Sequence, residues 1–361
     1  MDQPNPSDVG RVALADLDRF CREALAAVGV DAPTAEAATR AMMHGTRLGI
    51  DSHGVRLLGH YLTVLAAGRV NPRPSPRLLR LMGATATLDG DHGHGARSAY
   101  FAMDHAVDLA AEYGIGAVAI RNSSHFGPAG AYAVPAAAAG MIGVVTCNSD
   151  SFVRLHDGAA RFHGTNPFAC AVPMDDEHPW LLDMATSSVP YNRILLYRSL
   201  GRSMPPGTAS TADGLDTSNP EETEMLAPLG GAFGFKGAGF AGFVEILSAV
   251  LTGMKLSFDI LPMAGPDLST PRQMGAFVMA IRPDAFVEPE VFAEGMRRYV
   301  ETLRASPARP DHAVMAPGDR EWAEAARRDR LGVPIDPETS NEFAEIAKRY
   351  GLSPLSAKTV P

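Results

Sequence analysis

Four short apolar runs in the middle of the chain constrain the fold most. They span residues 117–120, 142–146, 168–172 and 180–182, and each is bounded by turn-forming residues. Each is too short for a helix and lacks polar alternation, so they read as strands buried on both faces. Such strands need a covering layer on either side. Helical spacing supplies the layers. Leu14, Leu17, Cys21, Ala24, Leu25 and Val28 recur with the period of an amphipathic helix over 13–28. A second helix is expected over 33–48, with Pro33 in its first turn, and a third over 54–66. After a proline-rich connector at 71–76, residues 78–88 read as a strand. Helices at 95–112 and 129–139 follow. Residues 201–224, rich in Gly, Pro, Thr and Asp, read as loop. Helix 236–253, strand 275–282 and helices 288–304, 319–330 and 338–349 complete the chain. The expectation is an α/β protein with a mixed central sheet at 76–285. A helical region at 1–75 flanks it, and a second at 286–361 packs with the first.

Composition narrows the function classes. The chain has 361 residues, is 46% hydrophobic and carries a net charge of −9. An acidic protein without a basic cluster is a poor partner for nucleic acid. The three cysteines, Cys21, Cys147 and Cys170, are far apart, odd in number and form no CxxC pair. That speaks against a disulfide framework and for a cytoplasmic location. Residues 1–10 lack the basic and apolar regions of a signal peptide. The longest uncharged stretch, 126–149, is long enough to cross a membrane. Pro128, Pro135 and several glycines interrupt it, however, so it reads as helix, turn and buried strand, with no membrane partner.

Two segments imitate a dinucleotide fingerprint. Gly114-Ile115-Gly116-Ala117-Val118-Ala119 opens a strand, whereas a pyrophosphate turn must open a helix. Gly237-Ala238-Gly239-Phe240-Ala241-Gly242 does open a helix, but residues 228–236 before it do not form a core strand. Its glycines read as a small face for close packing. Lys236, beside that helix start, is placed to meet an anion. His92 and His94 fall in a glycine-rich turn ahead of a helix, and no third metal ligand is evident, so no metal is expected. His53 lies between two helical segments. His125 directly follows an apolar strand, where α/β proteins place chemistry. Asp183 ends another strand, and a carboxylate at a buried strand end needs a partner. His53 is a candidate for that partner.

Six motifs occur in order: Ser52-His53-Gly54-Val55, Ser124-His125-Phe126-Gly127, Gly164-Thr165-Asn166-Pro167, Asp183-Met184-Ala185-Thr186-Ser187, Pro228-Leu229-Gly230-Gly231 with Lys236-Gly237, and Val244-Glu245-Ile246-Leu247. The series resembles the type 2 malate/L-lactate dehydrogenase family, which also contains ureidoglycolate, sulfolactate, diketogulonate and cyclic imino-acid enzymes. The resemblance runs from about residue 12 to 350. It implies a fold unlike the Rossmann type, NAD or NADP bound on a mixed central sheet, and a homodimer. It also implies roles. His53 resembles the acid that protonates the substrate carbonyl oxygen, with Ser52 and Asp183 as relay partners. His125, Phe126, Gly127, Ser149, Thr165, Asn166, Asp183, Met184, Ala185 and Lys236 resemble cofactor contacts. In some members the histidine matching His125 is instead the proton acceptor, and His125 also resembles a substrate contact.

Two departures bear on the substrate. Many members carry Arg four residues after the motif histidine, where this chain has Leu57, with Arg56 one position earlier. Pro190-Tyr191-Asn192-Arg193 replaces the usual Ala-Arg-Gly-Lys. The expected activity is hydride transfer between NAD(P) and a small 2-hydroxy acid or its 2-oxo acid, on a substrate carrying a carboxylate. The alternatives are an NAD(P)H-dependent reductase of cyclic or N-alkyl imino acids, or a nucleotide-binding homologue without turnover.

Overall fold

All four apolar runs become strands of one seven-stranded sheet, in a computed structural model that describes residues 10–175, 177–199 and 201–356. The polar stretch 1–9, part of the signal-peptide reading, and residues 357–361 of the expected C-terminal region lie outside the described residues. The helices of the N-terminal third are α1 (Leu14–Ala27), α2 (Ala32–Arg47) and α3 (Leu58–Ala66). The hairpin β1 (Arg77–Met82) and β2 (Thr85–Asp89) follows, then α4 (Gly95–Tyr113), β3 (Ile115–Ser123), α5 (Gly130–Ala138) and β4 (Ile142–Cys147). Next come β5 (Phe168–Val172), β6 (Trp180–Met184), α6 (Tyr191–Ser199), α7 (Gly234–Glu245) and β7 (Met274–Ile281). The chain ends with α8 (Pro289–Arg304), α9 (Asp319–Leu331) and α10 (Pro337–Tyr350).

The sheet order is β1-β2-β3-β7-β4-β5-β6. Only β2 and β3 pair in parallel; every other pair is antiparallel. The sheet is therefore mixed, as expected. On one face α4 and α5 bury Ala99, Met103, Ala106, Ala133 and Ala136 against Val118, Ile120, Val145 and Val278. Small residues on both helices let them sit close to the strands, which raises contact density. The other face is covered in part by a helical turn at Ile246–Val250 that continues α7. It is bonded to β4 through Thr146 Oγ1 and Ser248 Oγ, 2.9 Å apart.

Both chain ends meet in a second core. Leu17, Phe20, Leu58 and Leu62 from the N-terminal helices pack with Val333, Phe343 and Ile346. A two-stranded ribbon pairs Arg11 with Pro334 and Val12 with Val333.

Three expectations need correction. Residues 78–88 form two strands rather than one, because Gly83 turns the chain back at φ 52°. Residues 51–57 are two 3-10 turns, with α3 starting only at Leu58. Thr46 Oγ1 accepts the Val55 amide at 2.8 Å and holds that segment off the α path. Residues 201–224 are not wholly loop. Ala209–Ser210 and Asp216–Thr217 join Met225–Leu226, Val153–Arg154 and Arg161–His163 in a five-stranded sheet. Strands of two or three residues carry no readable period. The stretch 126–149 does form α5 and β4. Among the described residues one helical run, Gly231–Val250, has the length and composition to cross a membrane. It lies against the sheet, with Val244, Ser248 and Ala249 buried.

Candidate active site

The strand directions decide where the chemistry gathers. β2, β3, β4 and β6 point one way, and β5 and β7 point the other. One edge of the sheet thus collects the ends of β2, β3, β4 and β6 and the starts of β5 and β7. His92 and His94 follow β2, His125 follows β3, and Ser149 follows β4. Thr165 and Asn166 precede β5, and Asp183 and Met184 close β6.

His53 reaches this edge from the 3-10 turn Asp51–His53. Its ring stacks on His125, with centroids 5.9 Å apart and an interplanar angle of 24°. Each imidazole is anchored through Nδ1. Ser52 Oγ lies 2.9 Å from Nδ1 of His53, and Tyr61 Oη lies 2.9 Å from Nδ1 of His125. Neither Nε2 makes a hydrogen bond among the described residues. Burial holds His53 below the ordinary histidine range. Burial, then the neighbouring His53 and Arg272, hold His125 well below it. Two unit charges 5.9 Å apart repel by about 3 kcal/mol at an effective dielectric of 20. The pair therefore carries at most one positive charge near neutrality, so the two rings are not protonated alike.

Asp183 is not where it was expected. Its Oδ2 accepts the Gly130 amide at 2.8 Å, at the start of α5, and no hydrogen bond joins it to His53. An added Cβ at Gly130 would lie 2.8 Å from that oxygen and displace the carboxylate. Burial raises the Asp183 carboxyl to about 6, partly countered by the Gly130 amide. Arg56 is also elsewhere. It is half-exposed and faces Asp336 at 3.6 Å, and Leu57 packs in the second core. The substrate role read for Arg56 therefore has no support from its position.

The candidate cofactor residues divide between a buried frame and a polar surface. Asn166 is wholly buried. Its amide donates to Glu245 at 2.7 Å, and its carbonyl oxygen accepts from the Ser149 amide at 3.3 Å. Its side chain is used up as a strut, at a left-handed φ of 33° that asparagine tolerates. Ser149 Oγ accepts the Thr165 amide at 3.1 Å. Thr165 O accepts from Thr186, and Thr186 O accepts the Leu229 amide at 2.9 Å. These bonds tie the β5 and β6 ends to the glycine turn before α7. Phe126 is buried, and its carbonyl accepts from Tyr132 Oη. Gly127 lies against Tyr61 and the His53 carbonyl. Met184 and Ala185 are partly exposed. Lys236 lies over the Phe233 ring at 5.6 Å and makes no ion pair among the described residues. An ammonium without an ion pair among the described residues, with the hydroxyls of Ser149 and Thr165, is a donor set that fits a phosphate-bearing nicotinamide nucleotide. Gly237 serves packing, since a Cβ there would lie 2.0 Å from Leu229 O.

His94 is a structural group. Its Nδ1 accepts the Ala96 amide at 3.2 Å and caps α4, and its ring lies edge-on to Tyr61 at 4.2 Å. Among the described residues no three His, Cys, Asp or Glu side chains could share a metal ion. Two contributors carried no sequence motif. Tyr61 sits eight residues after His53, in the first turn of α3, and orients His125. Arg328 on α9 is fully buried, clamps both oxygens of Asp51 at 2.5 and 2.9 Å, and so braces the turn bearing Ser52 and His53. Only the packing of α9 on α2 brings it there.

The buried histidines make stability depend on pH. Burial lowers His44 and His60 to about 4 and His94 to about 3. Between the unfolded value and these, the unfolded chain binds more protons, so stability falls as pH falls. Each fully buried histidine costs about 1.4 kcal/mol per pH unit there. Asp183, raised to about 6, works the other way. His53, His125 and His163 are lowered in the same sense, and Asp104 and Glu342 are raised with Asp183, so the histidines outnumber the raised carboxyls and the urea midpoint is expected to drop from pH 6.5 to 4.5. A flat midpoint over that range would contradict this balance.

A family model described as malate/L-lactate dehydrogenase matches residues 12–344. The malate dehydrogenase of Pyrococcus horikoshii is 35% identical over 353 residues, covering 96% of this chain and 97% of that protein. The L-sulfolactate dehydrogenase of Methanocaldococcus jannaschii is 31% identical, covering 84% and 87%. The crystal structure of malate dehydrogenase from Entamoeba histolytica superposes with a TM-score of 0.91 at 29% identity, over 96% of this chain and 99% of that one.

Proposed function

This chain belongs to the malate/L-lactate dehydrogenase family, and we propose that His53 is the group that exchanges the proton in its reaction. The protein is an NAD(P)-dependent oxidoreductase that interconverts a small 2-hydroxy acid and its 2-oxo acid. The observation that carries the assignment of His53 is its Nε2, which has no partner among the described residues, while Ser52 anchors Nδ1. When bound, the nicotinamide accepts or donates the hydride. In oxidation the Nδ1 proton of His53 points at Ser52 Oγ, and the lone pair on Nε2 takes the hydroxyl proton. In reduction Nε2 returns a proton to the developing alkoxide. The lowered value of His53 keeps the base form available at neutral pH. His125, oriented by Tyr61, stays neutral and donates a hydrogen bond from Nε2 to the same substrate oxygen.

In this reading Ser149, Thr165, Met184, Ala185 and Lys236 contact the cofactor directly, with Phe126 and Gly127 forming the turn that seats it. Asn166 acts through its frame. Asp183 serves at the nicotinamide side rather than as a holder of His53. The domain division at about residues 75 and 285 belongs to the same reading, as does a cytoplasmic location, supported by three unpaired cysteines.

We also infer a homodimer. Phe235, Phe243, Ile246, Val250 and Leu251 are each at least half exposed along α7 and its continuation. An uncovered apolar face of this kind marks an interaction site. Sedimentation at micromolar concentration should give twice the chain mass, and an active monomer would refute the inference.

The test of function is a panel of 2-oxo acids and cyclic imines with NADH and NADPH, followed at the nicotinamide absorbance. Turnover of 2-oxo acids supports the reading. Turnover of imines alone would replace it with C=N reduction, and no turnover would leave a nucleotide-binding homologue.

A further inference from the structure

We propose that Arg272, just ahead of β7, grips the substrate carboxylate beside His125. The inference rests on the 2-hydroxy-acid reading above, in which the substrate must carry a carboxylate and Arg56 is turned away from the histidine pair.

The strand register places the residue. Met274 pairs with Ser123 on β3. Two residues beyond that pair, in opposite directions along the two chains, stand Arg272 and His125. On the other side of β7, Ala276 pairs with Cys147, and β4 runs on to Ser149 and Asp150. Arg272 thus enters the site edge between the histidine and the candidate cofactor residues. It is almost fully buried, and its guanidinium is held firmly. Nε donates to Leu261 O at 2.9 Å, and Nη2 pairs with Asp150. Nη1 makes no hydrogen bond among the described residues. A guanidinium pinned by two of its nitrogens presents the third in a set direction, which suits a planar carboxylate.

The local charge count points the same way. Arg69 is also almost fully buried. Its Nη1 donates to Pro262 O and Met263 O at 3.1 and 3.0 Å, and its Nε and Nη2 are buried without a partner. Asp150 is the one carboxylate bonded to either arginine among the described residues. Asp267 also acts on Arg69, without a hydrogen bond to it, so the two buried cations share one bonded anion, and guanidinium nitrogens left without a partner are costly until an acceptor arrives. After burial, the Arg272 charge is the next cause that lowers both His60 and Arg69. A bound carboxylate would relieve this repulsion and favour the protonated form of the neighbouring histidine pair. Substrate binding and proton donation would then be coupled.

The experiment uses the full-length enzyme with the best 2-oxo acid from the panel. Arg272→Lys and Arg272→Ala should raise KM for that acid by about 10–100-fold, the size of a lost charge-assisted contact. NADH or NADPH affinity, titrated by fluorescence without substrate, should stay within about twofold. Millimolar guanidine should restore part of the Arg272→Ala activity. The wild type should prefer the 2-oxo acid over its neutral amide, and Arg272→Ala should not. Unchanged KM in both variants overturns the proposal while leaving the enzyme's activity intact. So does a loss of cofactor affinity matching the loss of activity without guanidine rescue, the pattern of a collapsed site. A wild type inactive on every 2-oxo acid removes the functional reading, and this inference with it.

Discussion

Replacing His53 with Ala is expected to lower turnover by about 10²–10⁴-fold, the usual size of a general acid–base contribution. NADH or NADPH should bind as before, because the imidazole acts on the substrate oxygen. The fold should tolerate the change, since His53 is only partly buried and its side chain bonds to the adjacent Ser52. Thermal melting of the variant checks that point. His125→Ala should behave differently. It removes the ring that Tyr61 orients, so KM should rise before kcat falls. The opposite pattern, with His53→Ala active and His125→Ala losing turnover at unchanged binding, would transfer the proton to His125. Steady-state kinetics with a cofactor titration separates the two. The rings repel as cations at 5.9 Å, so exchanging their roles changes the answer in a measurable way.

Glu245→Leu should destabilise the fold by about 3–5 kcal/mol, because each buried donor left without an acceptor costs about 1–3 kcal/mol before relaxation. Glu245 is buried on α7. Its carboxylate accepts from the Ser257 amide and hydroxyl at 2.6 Å each, from Asn166 at 2.7 Å and from Asn148 at 3.4 Å. Leucine fills similar space but accepts nothing, so four donors lose their partner where water does not reach. Glu245→Gln should recover part of the loss, since its carbonyl oxygen still accepts. Urea denaturation measures both variants. Because Asn166 also holds the Ser149 amide, cofactor affinity should fall in Glu245→Leu even well below the unfolding midpoint. Unchanged stability would mean that the donors find new partners and that the network is not a strut.

Much of the fold was legible in local pattern. The buried strands and the amphipathic helices α1, α2 and α4 appeared within three residues at each end, because burial imposes period 3.6 on a helix and uninterrupted apolar runs on a doubly covered strand. Ahead of the fingerprint at Gly237 stands a 3-10 turn at Gly231–Phe233, where a pyrophosphate turn requires a strand. The hairpin at 77–89 was read as one strand because a single Gly83 carries the turn. The small sheet through 209–226 was missed because its strands are too short to show a period.

The candidate site divides along the same line. The sequence alone determined the chemistry available: Ser52-His53, His125-Phe126-Gly127, Thr165-Asn166 and Asp183 announce themselves as polar groups at the ends of apolar elements. It also determined the family, because six ordered motifs survive any change in packing. Which of these groups touch was decided only by the tertiary structure. Strand register sets Met274, two residues after Arg272, across from Ser123, two residues before His125. The docking of α9 brings Arg328 onto Asp51. The closeness of α5 to β6 gives Asp183 to an amide rather than to His53. Each of these joins residues 50 or more positions apart. Local spacing carries no information at such separations, and the outcome depends on how whole elements pack.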